Sequence, residues 1–135
     1  MSNLNAFLHP VNTVDKQEVI VSDRFCDENG KPAPFVIRPI TQEENEKLIR
    51  LSTRRVNVRG QKVERLDNGE YGRRVVVAAT VTPDFRSEEM CKAYGTMDPL
   101  EVPGKMLLVG EFNRLSDAIL ALSGLDDDPE ELAKN

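Results

Sequence analysis

The sequence predicts an α+β fold: an N-terminal β-hairpin followed by a mostly helical C-terminal part. Three observations carry that reading. Two runs rich in Val, Ile and Phe, 18–25 (EVIVSDRF) and 34–40 (PFVIRPI), flank CDENGKPA, whose Asn29-Gly30 and Pro32 are turn formers. From residue 41 onward, hydroxyl or Asp side chains stand just ahead of helix-like patterns. The chain has 135 residues, 39% hydrophobic and 30% charged, enough for one core with a polar surface and too ordered in composition for wholesale disorder. The expected layout is an N-terminal arm over 1–13, a single α+β domain over 14–125 and an acidic flexible tail over 126–135.

The arm holds a short apolar patch, Leu4, Phe7 and Leu8. In the hairpin, Pro34 and Pro39 have no backbone N–H to give to a neighbour, which places the second run at a sheet edge. Thr41 with Glu44 has the spacing of a capping box and starts a helix expected to end near Arg54. Its acids lie early, its bases late, and Leu48, Ile49 and Leu51 supply the buried stripe. Residues 55–66 read as a basic loop with at most a short strand, interrupted at Gly60.

Residues 67–80 support two readings from local pattern. Asp67-Asn68-Gly69-Glu70 makes either a hairpin turn leading into a Val75-Val76-Val77 strand, or an Asp67 N-cap with Glu70 as its capping-box partner. The helix would set Tyr71, Val75, Ala78 and Ala79 on one face. Thr82-Pro83 ends the element. Ser87 caps a short helix, EEMCKAY, that Gly95 closes. Asp98-Pro99 opens a helical turn expected to break at Pro103-Gly104. After Gly110, the last helix carries Phe112, Leu115, Ile119 and Leu122 on one face and stops at Gly124. That face is either core or a partner-binding groove.

Composition excludes much. Cys26 and Cys91 make no metal or disulfide spacing, and His9 is the only histidine. The acids Glu43, Glu44, Glu46, Glu88 and Glu89 fall in first turns of helices, where the helix dipole already accounts for them. Asp126-Asp127-Asp128 lacks the alternation of a calcium loop. No phosphate-binding glycine motif occurs. No enzyme, no metal and no cofactor is expected. Nor is a membrane partner: no apolar run nears the roughly 20 residues that span a bilayer, and the first residues lack the basic and apolar regions of a signal peptide.

Charge is uneven within a net −5. Residues 50–74 carry +5 and residues 111–135 carry −5. The basic stretch, with Arg54, Arg55, Arg59, Lys62 and Arg65 followed by Arg73 and Arg74, suits an acidic partner or a second copy. Nucleic acid is disfavoured, because Glu64, Asp67 and Glu70 interrupt the bases and only Tyr71 is there to stack.

Four segments in this order, LNAFLHP (4–10), PFVIRPITQEENEKL (34–48), VAATVTPDFRSEEMCKAYG (77–95) and MLLVGEFNRLSDAILALSGLDDD (106–128), resemble the XkdN-like tail assembly chaperones of tailed phages and prophages. RGQKVERLDNGEYGRRVVV departs from them, being more basic and more β-branched. Asp67 and Tyr71 still match the start of a family helix, so the resemblance favours a helix at about 68–80.

The resemblance implies an assembly factor without catalysis, working in the cytoplasm of a Gram-positive host and absent from the finished virion. Its implied partners are the tape measure protein and the tail tube protein, with self-association as a further expectation. Family genes often make a second, longer product by ribosomal slippage, and Ala133-Lys134-Asn135 is encodable by a slippery run. The candidate partner-binding residues are Arg54, Arg55, Arg59, Lys62, Arg73, Arg74, Phe112, Leu115 and Ile119. The alternative is a structural tail component, or a small nucleic-acid-binding regulator using 50–74.

Overall fold

The hairpin forms where the turn residues place it, but it is short. The computed structural model describes residues 3–11 and 15–125. In it β1 (Gln17–Val19) pairs antiparallel with β2 (Phe35–Ile37), Val19 opposite Phe35. The connecting loop is closed by Asp27, whose Oδ1 accepts from the backbone N–H of Asn29 at 2.8 Å and of Lys31 at 3.0 Å. The first run was expected to stay extended to Phe25. Instead the chain leaves the sheet after Val19 and turns at 23–25.

β2 does not lie at an edge. It is the middle strand of three, paired on its other side with β5 (Thr80–Thr82). Pro34 and Pro39 flank the strand rather than interrupt it, so Phe35, Val36 and Ile37 keep their N–H groups for the ladder. Phe35 and Ile37 are buried, and Val36 between them is half-buried.

α1 (Leu4–Leu8) is one helical turn within the arm, and Phe7 on it is 80% exposed. α2 (Gln42–Leu51) has the expected capping box. Thr41 Oγ1 accepts from Glu44 N–H at 3.2 Å, and the Glu44 carboxylate accepts from Thr41 N–H at 3.3 Å. Arg38 also donates to that carboxylate, at 2.8 Å from Nη2, which holds the Glu44 carboxyl below its ordinary value. The helix stops at Leu51, short of Arg54. Leu48 is buried, Ile49 half-buried and Leu51 exposed, so the stripe is narrower than its sequence suggested.

Residues 53–66 are not a loop. They form a two-stranded ribbon, β3 (Thr53–Val58) and β4 (Gln61–Leu66). After it, α3 (Asn68–Ala79) takes the helical reading. Asp67 Oδ1 caps the Glu70 N–H at 3.0 Å. Glu70 does not close a capping box; its carboxylate is held by Arg54 and Arg74. α3 is central, packing against α2, α6 and the turn at 99–106. Val75, Val76, Val77 and Ala79 are all buried on it. Burial on several sides is what lets three consecutive valines stand in a helix against their strand preference.

α4 (Glu88–Ala93) is capped by Ser87 and closed by Gly95 at φ +69°, as expected, with Thr96 N–H returning to Cys91 O and Gly95 N–H to Lys92 O. Pro103-Gly104 breaks nothing. A 3₁₀ turn, Pro99–Glu101, runs directly into α5 (Val102–Met106), where Pro103 sits in the first turn, a position that needs no N–H donor. α6 (Val109–Leu122) takes in Gly110 and is closed by Gly124. Leu115 and Ile119 on it are fully buried, and Phe112 and Leu122 pack at the margin of the core. The acidic tail expected over 126–135 lies outside the described residues.

One ion pair ties the N-terminal region to α6. Arg24 donates to Glu111 through Nε at 2.9 Å and through Nη2. The Leu108 N–H also donates to Glu111, at 2.8 Å. Glu111 is 5% exposed. The Arg24 guanidinium, then the Ser22 side chain, hold its carboxyl down at about 2, below its ordinary 4.5. Such a depressed group adds stability above about pH 4.5 that drains away as pH falls toward 2. Glu111→Gln should therefore flatten the loss of stability across that acid window, read as denaturant midpoints at stepwise pH. Parallel curves for the two proteins would mean the pair adds no acid sensitivity.

Candidate functional site

The ribbon begins and ends on one hydrogen bond, Asp67 N–H to Ser52 O at 2.8 Å. At its tip Arg59 (φ +51°) and Gly60 (φ +81°) both adopt left-handed conformations, the arrangement of a tight two-residue hairpin turn. β3 and β4 pair with each other and with none of the three strands of the main sheet, and every residue of β4 is exposed. Arg54 stands opposite Arg65, Arg55 opposite Glu64, and Val56 opposite Val63.

The predicted basic residues divide into two groups. Arg54 and Arg74 converge on Glu70, at 2.5 Å and 3.2 Å, and Arg54 Nη1 also donates to Leu51 O at 2.8 Å. These two are engaged within the chain. Arg55, Arg59, Lys62 and Arg65 have no ion-pair partner among the described residues.

Arg73 belongs elsewhere. With Phe112 it lines a hollow of about 330 Å³ where the start of α3 meets α5 and the start of α6, bounded by Leu107 and Val109. Val109 in its lining is 80% exposed, while Leu108, 61% exposed, lines a separate hollow with Ile20, Arg24 and Arg114. Sequence reasoning missed both residues because they precede the α6 stripe rather than lie on it. The available signal was the apolar run Met106–Val109 outrunning what that stripe could bury. Leu115 and Ile119, the other candidates on α6, are 0% exposed, so they present nothing to a partner and the core alternative describes them. Their i, i+4 spacing points both into the packing against α3.

A second groove, of about 510 Å³, lies between α2, α3 and the 3₁₀ turn. Leu48, Leu51, Val77 and Leu100 are among the apolar side chains lining it, with Arg74 and Arg86 among the charged ones. Among the described residues no group of three or more His, Cys, Asp or Glu side chains gathers as a metal site would require. No helix among them is long and apolar enough to cross a membrane.

The family model for the phage XkdN-like tail assembly chaperone protein matches residues 4–135. The chain belongs to that family. The XkdN protein of the phage-like element PBSX of Bacillus subtilis (strain 168) is 36% identical over 137 aligned positions, covering 96% of this chain and 93% of the relative. The uncharacterized protein YqbN of the same strain is 37% identical, with 96% and 92% covered. A crystal structure of YqbN superposes with a TM-score of 0.74 at 30% identity, over 93% of this chain and 99% of that one. The resemblance read from the four ordered segments is borne out, and so is the α+β class. Membership places the chain among phage tail assembly chaperones.

Proposed function

We propose that this protein binds the tape measure protein of a phage tail and helps recruit tail tube subunits to it, without catalysis, in the cytoplasm of the host and not in the finished virion. The observation that carries the reading is the exposed pair Leu108 and Val109 at the start of α6, Val109 lining the Arg73–Phe112 hollow and Leu108 a second hollow beside Arg24 and Arg114. Large apolar side chains standing at a hollow suit the apolar stripe of an amphipathic helix, laid in with its anchors at helical spacing. A long helical protein awaiting its tube exposes such stripes, and a chaperone that covers them keeps it in solution.

The test is co-expression with the tape measure protein encoded in the same tail operon, followed by affinity measurement on the purified pair. Leu108→Asp with Val109→Asp should leave the fold intact, since both side chains are surface groups. It should weaken the complex at least about tenfold, the scale of losing one or two buried aliphatic anchors. Unchanged affinity would move the binding face elsewhere. Recovery of this chain in purified virions, in stoichiometric amount, would make it a structural tail component instead.

A further inference from the structure

α2 is thinly anchored. Of its ten residues only Leu48 is buried, and an isolated helix shorter than about 12–15 residues is marginal in water. One of its faces, Glu44, Lys47, Leu48 and Leu51, repeats at i, i+3, i+4 and i+7 and lines the groove of about 510 Å³. A face of α3, Arg74, Val77 and Ala78, lines the same groove, and the 3₁₀ turn adds Pro99 and Leu100. Leu51, at the end of the α2 stripe, is 42% exposed. Covering this stripe would anchor α2 more firmly than the chain does by itself.

The charges in the lining do not cancel. Arg38 is paired with Glu44 at 2.8 Å, and Arg74 with Glu70 at 3.2 Å. Asp98 Oδ1 accepts from the Leu100 N–H at 3.0 Å and so caps the turn. Lys47 and Arg86 are exposed and have no ion-pair partner among the described residues. The lining holds four cations, Arg38, Lys47, Arg74 and Arg86, against Glu44 and Asp98, for +2 in a chain of net −5. A surface both apolar and cationic selects a ligand both apolar and anionic.

The walls decide the ligand's shape. An extended peptide draws its affinity from main-chain hydrogen bonds to an open strand edge, which two helices and a 3₁₀ turn do not offer. A helix instead needs side-chain rows at helical spacing to pack into, and the α2 and α3 faces supply them.

We propose that this groove binds an amphipathic helix of a partner protein, one whose apolar stripe is bordered by carboxylates. The stripe packs against Leu48, Leu51, Val77 and Leu100, and the carboxylates pair with Lys47 and Arg86. No lining residue is common to this groove and the two hollows at the start of α6. It is therefore a second binding face, and it does not rest on the assignment of Leu108 and Val109 to the tape measure protein. A chain with two such faces can hold two partners at once and raise the effective concentration of one near the other.

The test is calorimetric titration of the full chain with synthetic helical peptides of about 20 residues, long enough to hold a helix. The first carries leucines at i, i+3, i+4 and i+7 with glutamates beside them. The second replaces those glutamates with lysines. The third keeps the composition of the first but scatters its leucines around the helix. At about 0.1 M salt the first should bind and slow amide exchange in α2, and the other two should bind at least tenfold more weakly. Leu51→Asp alone, and Lys47→Glu with Arg86→Glu, should each weaken the first peptide at least tenfold, and the charge-reversed protein should come to prefer the second. Circular dichroism checks that the variants fold; Leu51→Ser replaces Leu51→Asp if that one does not. Leu108→Asp with Val109→Asp should leave the affinity unchanged, so the fate of that pair against the tape measure protein is read separately. No binding of the first peptide at about 1 mM, equal affinity for the first two peptides, or binding that survives the Leu51 and charge changes overturns the proposal. So does Leu51-dependent self-association that competes with the peptide in sedimentation, which would give the groove to a second copy.

Discussion

Leu115→Asp is expected to leave no cooperatively folded protein. The side chain is fully enclosed at the middle of α6, where that helix packs on the central α3. An ionised carboxylate there has no partner, and burying one costs several kcal/mol at least. A domain of this size holds about 5–15 kcal/mol in all. Ile119→Asp, one turn along and equally buried, should do the same. Far-UV circular dichroism with a urea titration checks it. A sharp transition kept by either variant, together with loss of partner binding, would instead make this face a groove that opens.

Phe85→Ala is the second large effect. Phe85 is 0% exposed and lies between β5 and α4, with exposed Asp84 and Arg86 on either side. Asp84 turns the chain here, its Oδ1 accepting from Arg86 N–H at 3.0 Å, and so drives the ring inward. Removing a buried phenyl group typically costs about 3–5 kcal/mol in lost transfer energy and residual cavity. The denaturant midpoint should drop accordingly, with the slope of the transition unchanged. A loss below about 1 kcal/mol would mean that neighbouring side chains collapse into the space.

These two residues mark what the sequence makes legible. Leu115 lies on a stripe at helical spacing within a long helix, and such a stripe reads directly as a core face. Phe85 lies in a connection with no period, so nothing local marks it as buried. Capping was the most readable signal. Thr41 and Ser87 do what their positions suggest, because a cap is a bond within four residues; Asp67 caps as well, but its position read equally as a hairpin turn and its expected partner Glu70 closes no box. Pairing over long range was hidden. The central place of β2 depends on β5, more than forty residues away, and the Arg24–Glu111 pair spans 87 positions.

The ribbon was missed for a chemical reason. Its turn is Arg59-Gly60 instead of Asn-Gly, and its strands alternate charge with valine too loosely to suggest a buried face. The absence of such a face is the finding, since the ribbon has none. Of the candidate residues, the basic ones were named for their charge alone. Leu108 and Val109 went unnoticed because an exposed apolar residue and a buried one are spelled alike.

The bond between Ser52 and Asp67 has a consequence for how this chain can vary. It already brings the two ends of the ribbon together, so the helices on either side are positioned by a closed junction and not by what lies between. Loop-closure entropy grows only slowly with length, at about 0.6 kcal/mol per doubling. The fourteen residues from Thr53 to Leu66 are thus an appendix that evolution can shorten, lengthen or recharge at small cost to the rest of the molecule. The same scaffold can then be retuned to different phages through this one exchangeable part, while the residues that build its interior stay as they are.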